Sequence, residues 1–315
     1  MDNTTRITLA LFALMIIGAA IPMVAADGNR IQYKHTAGVV TLETDDLSIR
    51  ITGVGEVPHF HWWDPNATNT DYHVMFVKLF EANDTNGDGA FTKDTDRMIG
   101  PPFVLPTADW EFSGFKVDEI DGNATAVHFN FTRTENYIPR PGGAGGAYGS
   151  LPHLDPFDVT VQIRVHIDLT KANEMKFDLI ISGWDWTYDT SLLVFQFTVT
   201  QSDHGQNQGT QKPGGFYQES TKFKFGNGYM EYEPVALAAQ NQIEVKASHG
   251  EGTGAEAGES VYLAFENFGN ETLVYDPTLG IESTGSALPL DANTLMVVGG
   301  VAVVIAVIAI VKHRR

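Results

Sequence analysis

The sequence has no cysteine among its 315 residues. No disulfide can staple the fold, so stability must come from a hydrophobic core, for which the chain is long enough. Basic side chains are scarce as well: 20 Lys and Arg face 39 Asp and Glu, a formal net charge of −19. That balance disfavours nucleic acid, whose phosphates need Lys and Arg, and disfavours docking onto anionic lipid. The acidic residues are spread along the chain, which suits a solvated surface and attracts divalent cations. A helical period is also missing. Away from the two apolar ends no stretch repeats its apolar residues every three or four positions, and Ala236–Ala239 comes nearest. There is no nucleophile elbow, no HExxH, no phosphate-cradling GxxxxGK[ST] loop and no GxGxxG leading into a helix. Acidic pairs abound without any two being marked as acid and base. No catalytic residue is therefore assigned, and the chain leans away from being an enzyme.

What is present is a period of two. From Asp158 to Thr170, Val159, Val161, Ile163, Val165, Ile167 and Leu169 fall on one face, and Thr160, Gln162, Arg164, His166 and Asp168 on the other. This is the pattern of a half-buried strand. Val127, Phe129 and Phe131 alternate in the same way, as do Phe223 with Phe225 and Ile243 with Val245. Tyr72–Phe80 and Leu192–Val199 are apolar on both faces and read as central strands. Further strands are expected at Gly38–Glu43, Leu47–Thr52, Val57–Trp63, Lys116–Ile120, Met175–Ser182 and Ser260–Glu266. About a dozen strands with turn residues between them predict an all-β fold, an antiparallel β-sandwich. One domain over 27–281 is expected, with Pro139–Pro156 as a long loop or internal break.

The ends read differently. Ile7–Ile21 is almost continuously apolar and leads to Val24, Ala25 and Ala26, the order of a signal peptide over 1–26. Leu295–Val311 is an unbroken run of apolar and glycine residues, near the minimum for a transmembrane helix, placed at 294–311 after a stalk at 282–293. Lys312, His313, Arg314 and Arg315 follow and predict a cytoplasmic tail. The expectation is a single-pass protein of the cell membrane with its N-terminal part outside. Sequons at Asn66, Asn83, Asn123, Asn130 and Asn270 are candidate glycosylation sites. In layout alone, this combination resembles archaeal cell-surface glycoproteins.

Three clusters carry chemistry. The first is Asp84-Thr85-Asn86-Gly87-Asp88-Gly89 followed by Ala90 and Phe91. D-x-N-x-D-G wraps oxygen ligands around Ca²⁺, with glycine at the sharp turn. Asp84–Asp96 resembles the calcium loop of EF-hands and dockerin-type repeats. The resemblance implies Asp84, Asn86 and Asp88 as ligands, the Ala90 carbonyl as another, and Asp94 or Asp96 as closing carboxylates. The family's twelfth-position carboxylate is replaced here by Thr95. The plainer alternative is an Asx-rich turn.

The second cluster is His59 and His61, two residues apart and on one face of a strand. With a third ligand from His73, Asp64, His153 or His204 they would bind Zn²⁺ or Cu²⁺. The plainer reading, and the preferred one, is two polar residues on a solvated face with Phe60 and Trp62 turned to the core. The third cluster is Trp184-Asp185-Trp186-Thr187-Tyr188-Asp189, either core or an exposed platform for sugar rings. The functional expectation is a calcium-stabilised, membrane-anchored β-sandwich of the cell envelope with a structural, adhesive or binding role. Its partners would be the membrane, envelope polymers, glycans or surface proteins. The alternatives are a surface enzyme, metal-dependent at His59 and His61 or carbohydrate-active at Asp185 or Asp189, and a glycan-binding module.

Overall fold

The computed structural model describes residues 31–282 apart from 37, 53–57, 68–69, 107–108, 121, 138–154, 204–212 and 253–257. The first strands are β1 (Gln32–Thr36), β2 (Val39–Glu43), β3 (Ser48–Thr52), β4 (His59–Trp63), β5 (Thr70–Asn83) and β6 (Arg97–Val104). Then come β7 (Glu111–Phe112), β8 (Lys116–Ile120), β9 (Asn123–Tyr137), β10 (Phe157–Asp168), β11 (Glu174–Ser182) and β12 (Leu192–Asp203). The last are β13 (Tyr217–Glu219), β14 (Lys222–Phe225), β15 (Gly228–Glu231), β16 (Val235–Ala238), β17 (Asn241–Glu251), β18 (Glu259–Phe265), β19 (Leu273–Tyr275) and β20 (Thr278–Ile281). Every pairing among them is antiparallel.

The period of two explains these strands. In β10, Val159, Val161, Ile163, Val165 and Ile167 are buried while Asp158, Arg164 and Asp168 face solvent. In β12 both faces are covered. Leu193, Phe195, Phe197 and Val199 enter the main core, and Gln196, Thr198, Thr200 and Ser202 are buried on the opposite face. β12 lies between β5 and β18, so its backbone is paired on both edges. Ala236–Ala238, the nearest thing to a helical stretch in the sequence, is part of β16, with Ala236 and Ala238 buried and Val235 and Leu237 exposed.

The expected two-sheet β-sandwich is corrected by the hydrogen bonding. β17 pairs with β16 through Asn241–Glu244 and with β18 through Val245–Glu251. All twenty described strands therefore belong to one continuous antiparallel sheet. One arm runs β1–β2–β3–β4–β5–β12–β18, with β6 on β5. The other joins β9, β10, β11, β19 and β20, with β7 and β8 on β9, β16 on β19, and β15, β14 and β13 beyond β20. The physical reason is that β17 is long enough to hand its edge from one arm to the other, so the break between sheets that a sandwich needs is absent. A shared core binds the arms. Phe60 of β4 lies 6.4 Å from Phe131 of β9 and 6.3 Å from Phe177 of β11, and the Trp62 indole donates to the Gly280 carbonyl at 3.2 Å.

The expected transmembrane helix and membrane localisation are also corrected. Among the described residues no helix is long and apolar enough to cross a membrane, and the one helical element there is the 3-10 turn Leu169–Lys171. A crossing helix needs roughly 20 apolar residues in helical rather than extended geometry, whereas the long apolar runs described here are strands. Signal peptide 1–26, stalk, transmembrane segment 294–311 and basic tail all lie outside the described residues. The membrane as partner and a single-pass cell-surface placement rested on that helix and are corrected with it.

Candidate metal centre

β3, β4, β5 and β12 are neighbours in one arm, and alternation sorts their side chains. Ile49, Ile51, Phe60, Trp62, Tyr72 and Val74 point into the shared core. Arg50, Thr52, His59, His61, His73 and Met75 occupy the other face. The register sets the histidines side by side: His61 pairs directly with His73, and His59 with Met75. The His61 and His73 rings are 4.2 Å apart, His59 and His61 4.4 Å, and His59 and His73 5.3 Å. One ring nitrogen from each lies within 4.8 Å of the others. A tetrahedral ion with Zn–N bonds of about 2.0–2.1 Å holds its donors about 3.3 Å apart, so side-chain rotations of about an ångström close the site.

Around His61 and His73 this face is not solvated, contrary to the preferred sequence reading, while Arg50, Thr52, His59 and Met75 on it are half-buried. His61 is 1% exposed and His73 0%, and Thr198, Thr200, Ser202 and Ser260 are buried around them. The rings are accordingly held neutral. Burial lowers the pKa of His59 to about 4. Burial, then the neighbouring His59, lowers that of His73 to about 3. Burial, then His59, His73 and the Arg50 guanidinium, lowers that of His61 to about 2. Neutral imidazole is the form that ligates metals. The Ser202 hydroxyl holds His73 Nε2 at 2.7 Å, which leaves His73 Nδ1 buried with no hydrogen-bond partner. Thr52 Oγ1 lies 3.5 Å from His61 Nε2. Such hydroxyls orient ligating rings from behind.

Of the other expected third ligands, Asp64 stays apart and caps the turn after β4, its carboxylate accepting from Asn66 N at 2.8 Å. His153 and His204 lie outside the described residues. Ser202 gave no sequence signal, because one serine in an apolar strand looks like any other. Glu81 was also passed over. It is buried in β5 and accepts from Thr187 N and Tyr188 N and from the Ser191 hydroxyl, pinning the Trp184–Ser191 segment.

The Asp84–Asp96 loop is closed by its own backbone. Asp84 accepts from Gly87 N at 2.7 Å and Gly89 N at 2.8 Å, and Asp88 accepts from Ala90 N at 2.8 Å. Asn86 donates to Asp88 at 2.8 Å. Asp96 is buried and takes Thr85 N at 3.0 Å and Thr92 N at 2.7 Å, while Asp94 is exposed. The Lys246 ammonium donates to the Asp88 carbonyl at 2.6 Å. Gly89 turns at φ +76°, and Phe91 packs 5.0 Å from both Phe80 and Tyr262. Of the sequons, Asn66, Asn83 and Asn270 are exposed, Asn130 is half-buried in β9, and Asn123 opens that strand.

The expected function is corrected on these observations. The envelope role rested on an anchor that no described residue supplies. The metal-dependent enzyme required His59 and His61 to meet a third ligand in a cleft; they do meet His73, but on a sheet face where His61 and His73 are buried and His59 is half-buried. The glycan module required an exposed tryptophan pair. Trp184 is 2% exposed against Tyr137 and Phe157, and Trp186 packs on Phe268 and donates to Gly269 O. Asp185 and Asp189 are exposed beside them. Compared with known proteins, the chain matches no protein-family model, and no curated protein matches it.

Proposed function

We propose that this β-protein binds a divalent transition-metal ion through His59, His61 and His73. The observation that supports this most is the register of β4 and β5, which stacks three neutral imidazoles and leaves His73 Nδ1 buried without a partner. A buried polar nitrogen without a hydrogen bond destabilises the fold by about 1–3 kcal/mol, and a metal–nitrogen bond removes that penalty. Three nitrogen donors beside the Arg50 charge select an imidazole-seeking ion, Cu²⁺, Ni²⁺ or Zn²⁺, over Ca²⁺ or Mg²⁺, which need anionic oxygens.

Cu²⁺ is the sharpest probe, because it heads the affinity order and its EPR spectrum counts bound nitrogens. One equivalent added to the full chain at pH 7.5 should give nitrogen superhyperfine structure from three imidazoles, reduced to two in His73→Asn and in His59→Ala. A spectrum from oxygen ligands alone, or one unchanged in both variants, overturns the reading.

A further inference from the structure

The other arm of the sheet carries a second cluster, at the seam between β10, β11 and the β19–β20 connection. His166 on β10 lies beside Asp178 on β11, and Asp276 follows β19 directly. One ligand atom from each of the three lies within 4.8 Å of the others. Each carboxylate has one oxygen held from behind by a cation. Arg164 Nη1 is 3.5 Å from Asp178 Oδ2, and Lys176 Nζ is 2.7 Å from Asp276 Oδ2. The other oxygen of each carboxylate is the one its cation does not reach. Asp178 Oδ1 is 4.0 Å from His166 Nδ1, too long for a hydrogen bond. Asp276 Oδ1 is buried with no hydrogen-bond partner.

We infer that His166, Asp178 and Asp276 form a second metal site, for a divalent ion of mixed nitrogen and oxygen ligation such as Mn²⁺. A purely structural ion-pair network leaves Asp276 Oδ1 unexplained, since Lys176 and Arg164 each reach only the other oxygen of their partner. An ion at the centre supplies a partner to all three free atoms at once. Arg164 and Lys176 then act as Asp and Glu do behind metal-bound histidines: they fix which lone pairs point inward. Their two positive charges are offset locally by Glu233 beside Lys176 and by Asp168 beside His166. Asp118, paired with His128 Nε2 at 2.8 Å, adds another negative charge, the His128 ring lying 5.9 Å from that of His166. The rim of the cluster reaches solvent, the side chains of His166 and Asp276 being 26% and 42% exposed, while Asp276 Oδ1 itself is buried. One imidazole with two carboxylates is a harder donor set than three imidazoles, and so accommodates Mn²⁺ where the three-histidine cluster does not.

The site is tested with Mn²⁺ alone on the full chain at pH 7.5, reading free ion by its aqueous EPR signal and bound ion by broadening of the His166 imidazole resonances. We expect one bound Mn²⁺ at submillimolar concentration, at least tenfold weaker binding in His166→Gln and in Asp276→Asn, and no change in His59→Ala or Asp84→Ala. The unmutated protein decides the test even where a variant fails to fold, since its His166 resonances must broaden. Sharp His166 resonances at 1 mM Mn²⁺, or binding that survives both variants, overturn the inference. Failure of the three-histidine reading leaves these outcomes untouched, because His59→Ala is a separate arm.

Discussion

Acid should destabilise the metal-free protein well before its carboxylates titrate. In the unfolded chain His59, His61 and His73 titrate near the ordinary value of about 6.5. In the folded chain their values are lowered to about 4, 2 and 3. Between these limits the unfolded state binds more protons than the native one, so stability rises with pH and falls as pH drops below about 6.5. One pKa unit corresponds to about 1.36 kcal/mol. Moving from pH 7.5 to 5.5 therefore removes about 1.4 kcal/mol per histidine, about 4 kcal/mol for the three. Total stabilities of domains are about 5–15 kcal/mol, so the effect is large. His166, also lowered by burial, adds in the same direction, while its partner Asp178, raised by burial, opposes it. The assay is guanidinium unfolding of the full chain with chelator present, followed by tryptophan fluorescence at the two pH values. His61→Gln with His73→Gln should cut the pH-dependent part to about a third, whatever those changes do to absolute stability. A free energy that moves by less than about 1 kcal/mol between pH 7.5 and 5.5 refutes the argument that these rings are buried and neutral.

Other outcomes follow from single contacts. Glu81→Ala leaves Thr187 N and Tyr188 N without their acceptor, and should lower stability by about 1–3 kcal/mol for each donor left unsatisfied, visible as faster limited proteolysis of the Trp184–Ser191 segment. Gly183 sits at φ +77°, and a Cβ there would meet the Asp158 carbonyl oxygen at 2.1 Å. Gly183→Ala should lower the melting temperature by several degrees, about 2–4 °C for each kcal/mol lost in a chain of this size. For the Asp84–Asp96 loop, with Thr95 where a carboxylate would close it, calcium binding should be weak, about 10⁻³ M. Calcium at 1 mM should then raise the melting temperature by only about 1 °C in a scan, and Asp84→Ala should abolish that rise.

The strands were legible wherever burial was one-sided and the run was long. Lys116–Ile120 was read with the bounds it has in the fold, and the alternation of Asp158–Thr170 gave both the strand β10 and its buried face. Short strands were missed, as in β15, β19 and β20, because three or four residues cannot display a period. Ala236–Ala239 misled because four apolar residues fit either period, and pairing with β17 and β19 decided it. The two histidines of β4 were visible as a pair. Their third member was only one name among four, since the pairing of His61 with His73 is a property of register and not of spacing. The His166, Asp178 and Asp276 group was invisible for the same reason. Asp276 reaches β11 only because β19 and β20 both pair with that strand.

The strand that serves both arms has a mechanical consequence. Asn241–Glu244 is zipped to β16, and the next residues, Val245–Glu251, are zipped to β18. Among the described strands this is the one that pairs into both halves of the sheet, and a continuous backbone runs through it. Neither half can melt far without pulling on the other through the Glu244–Val245 peptide. The chain should therefore denature in one calorimetric step, and because the shared core also couples the arms, Gly-Ser residues spliced between Glu244 and Val245 should lower the temperature of that step without splitting it.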